Sequence, residues 1–233
     1  MVATTIPFQN ASPPPVNVEV LAESLCIDCQ RFFTKSLIPT YNTLGPSVMD
    51  LHVIPYGNSR IDYDQKTVTC QHGEAECDAN IWEQCAVDKY PAIVYMDFLE
   101  CLENGVLPMG HREEPFEESV FAQCATESKN DPHRSSKFLR SATVTSMNFA
   151  ELKACHDDPA IAWSMQKKYS QLTPDHKGVP WVFVDHERID VDQQDLLQAV
   201  CQSYTSKGGK HPACASTSTS SNDDKGATSG KLN

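Results

Sequence analysis

Two cysteines three positions apart, Cys26 and Cys29, stand just after an alternating apolar segment, and that junction restricts the fold more than any other stretch of the chain. Val16, Val18 and Val20 alternate with Asn17 and Glu19, the period of a half-buried strand. Residues 24–29 turn the chain, and residues 30–37 read as a helix stopped by Pro39. Leu51, Val53 and Ile54 make a second strand, ended by Pro55-Tyr56-Gly57-Asn58.

A strand, a C-x-x-C at a helix start and a second strand, in that order, open a thioredoxin-like α/β fold. The middle of the chain is expected to be mostly helical, over residues 74–87, 90–103, 116–127, 149–156 and 160–169, with loops at 105–115 and 128–134. The chain then returns to strand at 179–184, turns at 185–187, and adds a short strand around Ile189. A last helix is expected over 192–204, with Leu196, Leu197 and Val200 on its apolar side. This order implies an extended leader over 1–15 and one domain over 16–214 carrying a helical insertion at about 74–170. A Ser/Thr-rich tail over 215–233 has no apolar anchor and reads as disordered.

Composition narrows the partners. Nineteen basic residues against 31 acidic give a formal charge of -12. Such a surface repels nucleic acid and anionic lipid. No run approaches the roughly 18 apolar residues of a membrane span. Ten cysteines in 233 residues point to an oxidising compartment. Residues 1–15 show neither a basic start nor an apolar run, so no signal peptide is read there.

The C-x-x-C carries the chemistry. At a helix start the first sulfur lies beside unpaired backbone N–H groups and the positive end of the helix dipole. That favours the thiolate, which makes Cys26 the attacking thiol and Cys29, one turn on, the resolving thiol. Spacing alone discriminates little, because ten cysteines in a chain of this length give roughly 0.4 chance C-x-x-C pairs. An inert local disulfide is the bland alternative. Zinc is disfavoured because no second C-x-x-C completes a four-cysteine site. Asp28 inside the motif opposes the thiolate but suits a first helical turn.

A second stretch makes the motif specific. Residues 70–85 contain Cys70-Gln71-His72-Gly73, then Glu76-Cys77, Asn80 and Cys85. This resembles the signature C-Q-H-G-x-x-E-C-x-x-N-x-x-x-x-C of the gamma-interferon-inducible lysosomal thiol reductase (GILT) family, at every fixed position. Glu23-Ser24-Leu25-Cys26, Pro55-Tyr56-Gly57-Asn58, Val179-Pro180-Trp181 and the stretch from Leu196 to Cys214 resemble the same family. The resemblance implies reduction of protein disulfides in an acidic endosomal or lysosomal compartment, or after secretion. It also implies an external thiol reductant, small or protein, in place of a bound cofactor. Pro180 is implied to be a cis-proline facing the C-x-x-C, with the backbone of Val179 pairing with substrate. Ile27 departs from the family's usual motif, as does the polar segment 105–146.

The remaining cysteines read as structural. Cys70, His72, Cys77 and Cys85 match no ordinary zinc spacing, so no metal is expected. Cys77 and Cys101 lie equally far from a helical turn near Lys89 and are expected to pair across it, leaving Cys70 and Cys85 for each other or elsewhere. Cys124 and Cys155 each resemble a family cysteine position and form a second expected pair. Cys201 and Cys214 are expected to tie the last helix to the C-terminal segment. An imidazole can move protons in acid, so His72 is open to a catalytic role. The favoured reading is that Gln71, His72 and Gly73 shape a helix start, and that Asn80 and Trp82 are structural. Two other functions stay open: a disulfide oxidase or isomerase on the same fold, and a non-catalytic disulfide-rich secreted binding protein.

Overall fold

A computed structural model describes residues 12–127 and 146–217. Most of the leader, the 128–134 loop and nearly all of the tail lie outside the described residues. The central strand is β1 (Val16–Ala22), parallel to β2 (Met49–Pro55) with Val16 beside Met49 and Ala22 beside Pro55. On its other side β1 runs antiparallel to β5 (Trp181–Val184), which pairs with β6 (Glu187–Ile189). The sheet order is β2-β1-β5-β6. Val16, Val18 and Val20 are fully buried on one face, while Leu21 packs with Ile54, Tyr56 and Tyr169 on the other. The β5–β6 turn puts Asp185 and His186 at positive φ, the hand that matches strand twist in a two-residue hairpin.

After β1 the chain enters α1 (Ile27–Phe32), a π-helical turn over Phe33–Leu37, and α2 (Ile38–Leu44). The expected stop at Pro39 does not occur. The π turn shifts the register, with the Ile38 N–H bonded to the Phe33 carbonyl five residues back. Pro39 then occupies the first turn of α2, where a missing N–H is tolerated. A two-stranded hairpin, β3 (Arg60–Asp62) with β4 (Thr67–Thr69), was not anticipated, because each strand offers a single apolar residue to a periodicity argument.

The helical layer follows. It comprises α3 (Glu74–Lys89), α4 (Ala92–Cys101) with a π-helical extension over Leu102–Val106, α5 (Glu118–Glu127), α6 (Phe149–Asp157) and α7 (Pro159–Leu172). Beyond β6 come α8 (Leu196–Ser206) and a short α9 (Pro212–Thr217). The last helix thus starts later than position 192, and α9 occupies the first residues assigned to the tail. Trp82 of α3 organises the layer, stacked on Phe121, Phe149 and His156 at 4.7, 5.7 and 4.0 Å. No helix among the described residues is long and apolar enough to cross a membrane.

The disulfides correct the expected pairing. Cys70 bonds Cys77, Cys85 bonds Cys155, and Cys101 bonds Cys124. Neither Cys77–Cys101, nor Cys70–Cys85, nor Cys124–Cys155 forms. Counting outward from the turn assumes that α3 and α4 present matching faces. Instead Cys77 points toward β4, its sulfur 3.6 Å from the Val68 carbonyl, and Cys101, the last residue of α4 before its π-helical extension, bonds to α5. Cys85 meets α6, which is held to α3 by His156 Nε2 and Asp78 at 2.9 Å. Cys201 and Cys214 pair as expected, joining α8 to α9.

Candidate active site

The turn between β1 and α1 is clamped from three directions. The Ser24 N–H donates to Asn80 Oδ1 at 3.0 Å, and Gln30 Nε2 donates to the Ser24 and Leu107 carbonyls at 3.0 and 3.2 Å. The signature asparagine therefore holds the active-site turn, a structural part as expected. The clamp leaves Cys26 as the N-cap of α1, its sulfur accepting from the Cys29 N–H at 3.4 Å. Cys26 and Cys29 carry the only free thiols among the described residues, 8% and 0% exposed.

These surroundings divide the two thiols. The hydrogen bond from the Cys29 thiol is the largest influence on Cys26. Backbone N–H groups of Cys29 and Asp28 add to it, and together they outweigh burial and the Asp28 carboxylate. The Cys26 pKa falls to about 6. Burial, then the bond to Cys26, pushes the Cys29 thiol well above its ordinary range. Cys26 thus ionises readily while Cys29 holds its proton.

Across from the pair, the Val179–Pro180 peptide is cis and the Val179 carbonyl lies 3.7 Å from Cys26 Sγ. The Val179 carbonyl therefore faces Cys26, with Pro180 next to it on the cis bond. Beside them runs a groove of about 600 Å³ whose lining includes Arg31, Lys35, Lys177 and Arg188 together with Asp28, Asp190 and Asp192. Arg188 stacks over Trp181, 4.0 Å from its ring centre. Asp28 is exposed and paired with Arg31 at 2.8 Å. Ile27, between the two thiols in sequence, is 48% exposed.

Behind the pair is a buried polar cluster that spacing did not reveal. The Glu23 carboxylate accepts from the Asn58 N–H and Nδ2 at 2.7 and 3.3 Å. Its Oε1 lies 3.6 Å from His72 Nδ1, which is 2.5 Å from Glu76 Oε2. Burial, followed by the Glu76 charge, lifts the Glu23 pKa to about 7. The three side chains offer one ligand atom each within 4.8 Å. The 2.5 Å contact is a hydrogen bond, however, since two atoms sharing one zinc at about 2.05 Å sit roughly 3.3 Å apart. Glu76 Oε1 also accepts from the His72 N–H at 3.0 Å, so the segment does shape the start of α3. Gly73 has φ 91°, and a Cβ there would overlap the Arg112 carbonyl. The available signal was the match of Glu23, Asn58, His72 and Glu76 to the family's motifs.

The sequence model of the family "Gamma interferon inducible lysosomal thiol reductase (GILT)" matches residues 17–128. The gamma-interferon-inducible lysosomal thiol reductase of Carassius auratus is 32% identical over 213 residues, covering 88% of this chain and 73% of that protein. The chain belongs to the GILT family. The mouse protein of the same name is 29% identical over 201 residues, 82% of this chain and 68% of the relative. Among solved structures, reduced DsbA from Mycobacterium tuberculosis superposes with a TM-score of 0.57 at 12% identity, covering 92% of each chain. That likeness places this GILT chain in the thioredoxin/DsbA-like fold. The chain is a thiol–disulfide oxidoreductase, and its partners include disulfide-containing substrates.

Proposed function

We propose that this GILT-family chain reduces protein disulfides in acid through a mixed disulfide on Cys26. The observation that carries the reading is the asymmetry of the pair: a capped Cys26 thiol with a pKa of about 6 beside a fully buried, protonated Cys29. At pH 5 such a Cys26 is on the order of a tenth thiolate, against about 0.01% for a thiol at 9.0. The thiolate attacks one sulfur of the substrate disulfide, whose other sulfur leaves and takes a proton. Cys29 then loses its proton and attacks Cys26 Sγ. The substrate thiol departs reduced, and Cys26–Cys29 remains as a disulfide. An external thiol, small or protein, must return the pair to the dithiol. No cofactor is called for, and an acidic endosomal, lysosomal or secreted setting suits the chemistry. The Val179 backbone is assigned to pair with the substrate chain, and Cys26 and Cys29 carry the electrons.

Insulin disulfide reduction at pH 5 and pH 7 with a small-thiol recycler tests the reading on wild type and Cys26→Ser. Activity at pH 5 that vanishes in the variant is expected. Activity at pH 7 alone removes the acidic setting, and equal rates in both proteins remove the function. A second reading, disulfide oxidation, is favoured by one feature: stabilising the Cys26 thiolate stabilises the reduced form and raises the potential. Equilibration with a glutathione couple decides between the two directions.

A further inference from the structure

Residues 173–180 join α7 to β5 and include Val179, whose carbonyl lies 3.7 Å from Cys26 Sγ. No residue of the segment is buried, and one side chain fastens it to the body of the protein. His176 Nε2 lies 3.1 Å from Asn58 Oδ1, and its Nδ1 lies 2.9 Å from the Pro174 carbonyl. The ring also leans toward Trp181, with ring centres 6.4 Å apart. Among the described residues, no other member of 174–178 hydrogen-bonds outside the segment. Both oxygens that meet the ring can only accept. Asn58 Nδ2 donates to Glu23 Oε1 at 3.3 Å and to Gln71 Oε1 at 2.6 Å, while the Asn58 N–H donates to Glu23 Oε2 at 2.7 Å. These bonds set the amide so that its oxygen faces His176. An imidazole donates from both nitrogens only with two protons on the ring. A neutral ring makes one of the two bonds and turns a lone pair toward the other oxygen.

We propose that His176, as an imidazolium, is a positioning residue that latches the Val179 backbone opposite Cys26 in acid. This deepens the reductase reading above and rests on it, because Val179 is the backbone assigned there to the substrate chain. Imidazoles as a class exchange their second proton between about pH 5 and 8. Below that range both bonds form, and the segment is tied to Asn58 and braced on itself. Above it one bond is lost, and the segment that carries Val179 is free to move off Cys26. The charged and titratable groups around the ring come from every element near it. They are Asp175 and Lys177 on its own segment, Arg60 and Tyr63 across the hollow they share, Glu23 behind Asn58, and Arg188 over Trp181. The latch acts on a substrate that pairs with the Val179 backbone. A small disulfide that reaches only the Cys26 sulfur does not feel it.

The test compares two disulfides. One is a capped peptide disulfide without titratable side chains, able to pair along the Val179 backbone. The other is bis(2-hydroxyethyl) disulfide, small and uncharged. Each is given in excess to the reduced protein from pH 5 to 8, and loss of the dithiol form is read by acid quench and mass spectrometry. The ratio of the two rates, peptide over small disulfide, cancels the ionisation of Cys26. In wild type this ratio should fall about tenfold from pH 5 to 8, on the order of one charge-assisted hydrogen bond. His176→Gln, neutral throughout, should show the lower ratio at every pH. His176→Arg, cationic throughout and able to donate to both oxygens, should keep the higher ratio up to pH 8. A histidine that only supports the fold would lower both rates together and leave the ratio unchanged. A folded His176→Gln with the wild-type dependence of the ratio on pH overturns the proposal, and so does a His176→Arg ratio that falls as in wild type. A flat ratio in wild type overturns it without any variant. Failure of wild type to react with either disulfide at pH 5 is a different result, since it removes the reductase reading and the latch with it.

Discussion

Cys26 and Cys29 share a helical turn and differ in what surrounds their sulfurs. The hydrogen bonds at the N-cap favour the Cys26 thiolate, and burial disfavours that of Cys29. Alkylation of the reduced protein with iodoacetamide should therefore modify one thiol in the native state, with a rate inflection near pH 6. Peptide mapping should place the label on Cys26. An inflection above pH 8, or equal labelling of Cys29, contradicts the capped geometry. Gly57 offers a second test at this scale. Gly57→Ala forces a side chain into positive φ and against the Glu23 carboxylate, and backbone strain of this kind costs about 1–3 kcal/mol. Urea unfolding should show at least that loss, and an unchanged midpoint would mean that the turn relaxes freely. The C-x-x-C was legible because its geometry is local, needing only a strand, a cap and one helical turn. The Glu23–His72–Glu76 cluster was not, because it joins segments about 50 residues apart, and one-residue roles do not reveal convergence.

At the scale of elements, the disulfides divide the work by loop length. Cys70–Cys77 spans seven residues and Cys85–Cys155 spans 70. On the chain-entropy argument the short bridge stabilises by about 2 kcal/mol and the long one by about 4. Replacing both cysteines of the long bridge by serine should cost about twice as much as the same change in the short one, read by denaturant midpoints. Equal stability losses would argue that local packing, rather than chain entropy, sets both values. Helix positions were legible from apolar periodicity. The partners of their cysteines were not, because pairing depends on which face each helix turns toward its neighbours. Cys85 lies on the face of α3 that meets α6, and nothing in residues 74–87 alone says so. Pro39 misled for a related reason: a π turn, which depends on packing, absorbed the break.

The whole molecule carries an excess of acid, and some of it is in the core. Glu83 and Glu103 are buried together, each pushed upward by burial, with a hydrogen bond between them. Glu23 is raised to about 7. Unfolded, all three ionise near pH 4.5. Each folded pKa lies above its unfolded value, so each contribution to stability is fully present below pH 4.5. It is lost as pH rises through the folded pKa. Cys26 has the opposite sign. Its folded pKa is depressed, so its contribution is present above pH 9 and lost as pH falls toward 6. In the reduced wild type the two effects oppose each other between pH 6 and 8, and Cys26→Ser removes the opposing one. At no more than about 1.4 kcal/mol per pH unit, and less near either pKa, Glu23 alone should cost Cys26→Ser about 2 kcal/mol between pH 5 and pH 7. That corresponds to roughly 4–8 °C in Tm for a domain of this size, with Glu83 and Glu103 extending the fall above pH 7. Self-repulsion of the -12 surface acts in the same direction, and 0.5 M salt screens it. Calorimetry of Cys26→Ser in that salt should therefore show Tm falling steadily from pH 5 to 8. A Tm that stays level would mean these carboxyls are solvated or rearrange in solution. A falling Tm would mean that the protons securing the core are held best in the acid where the thiol pair is proposed to work.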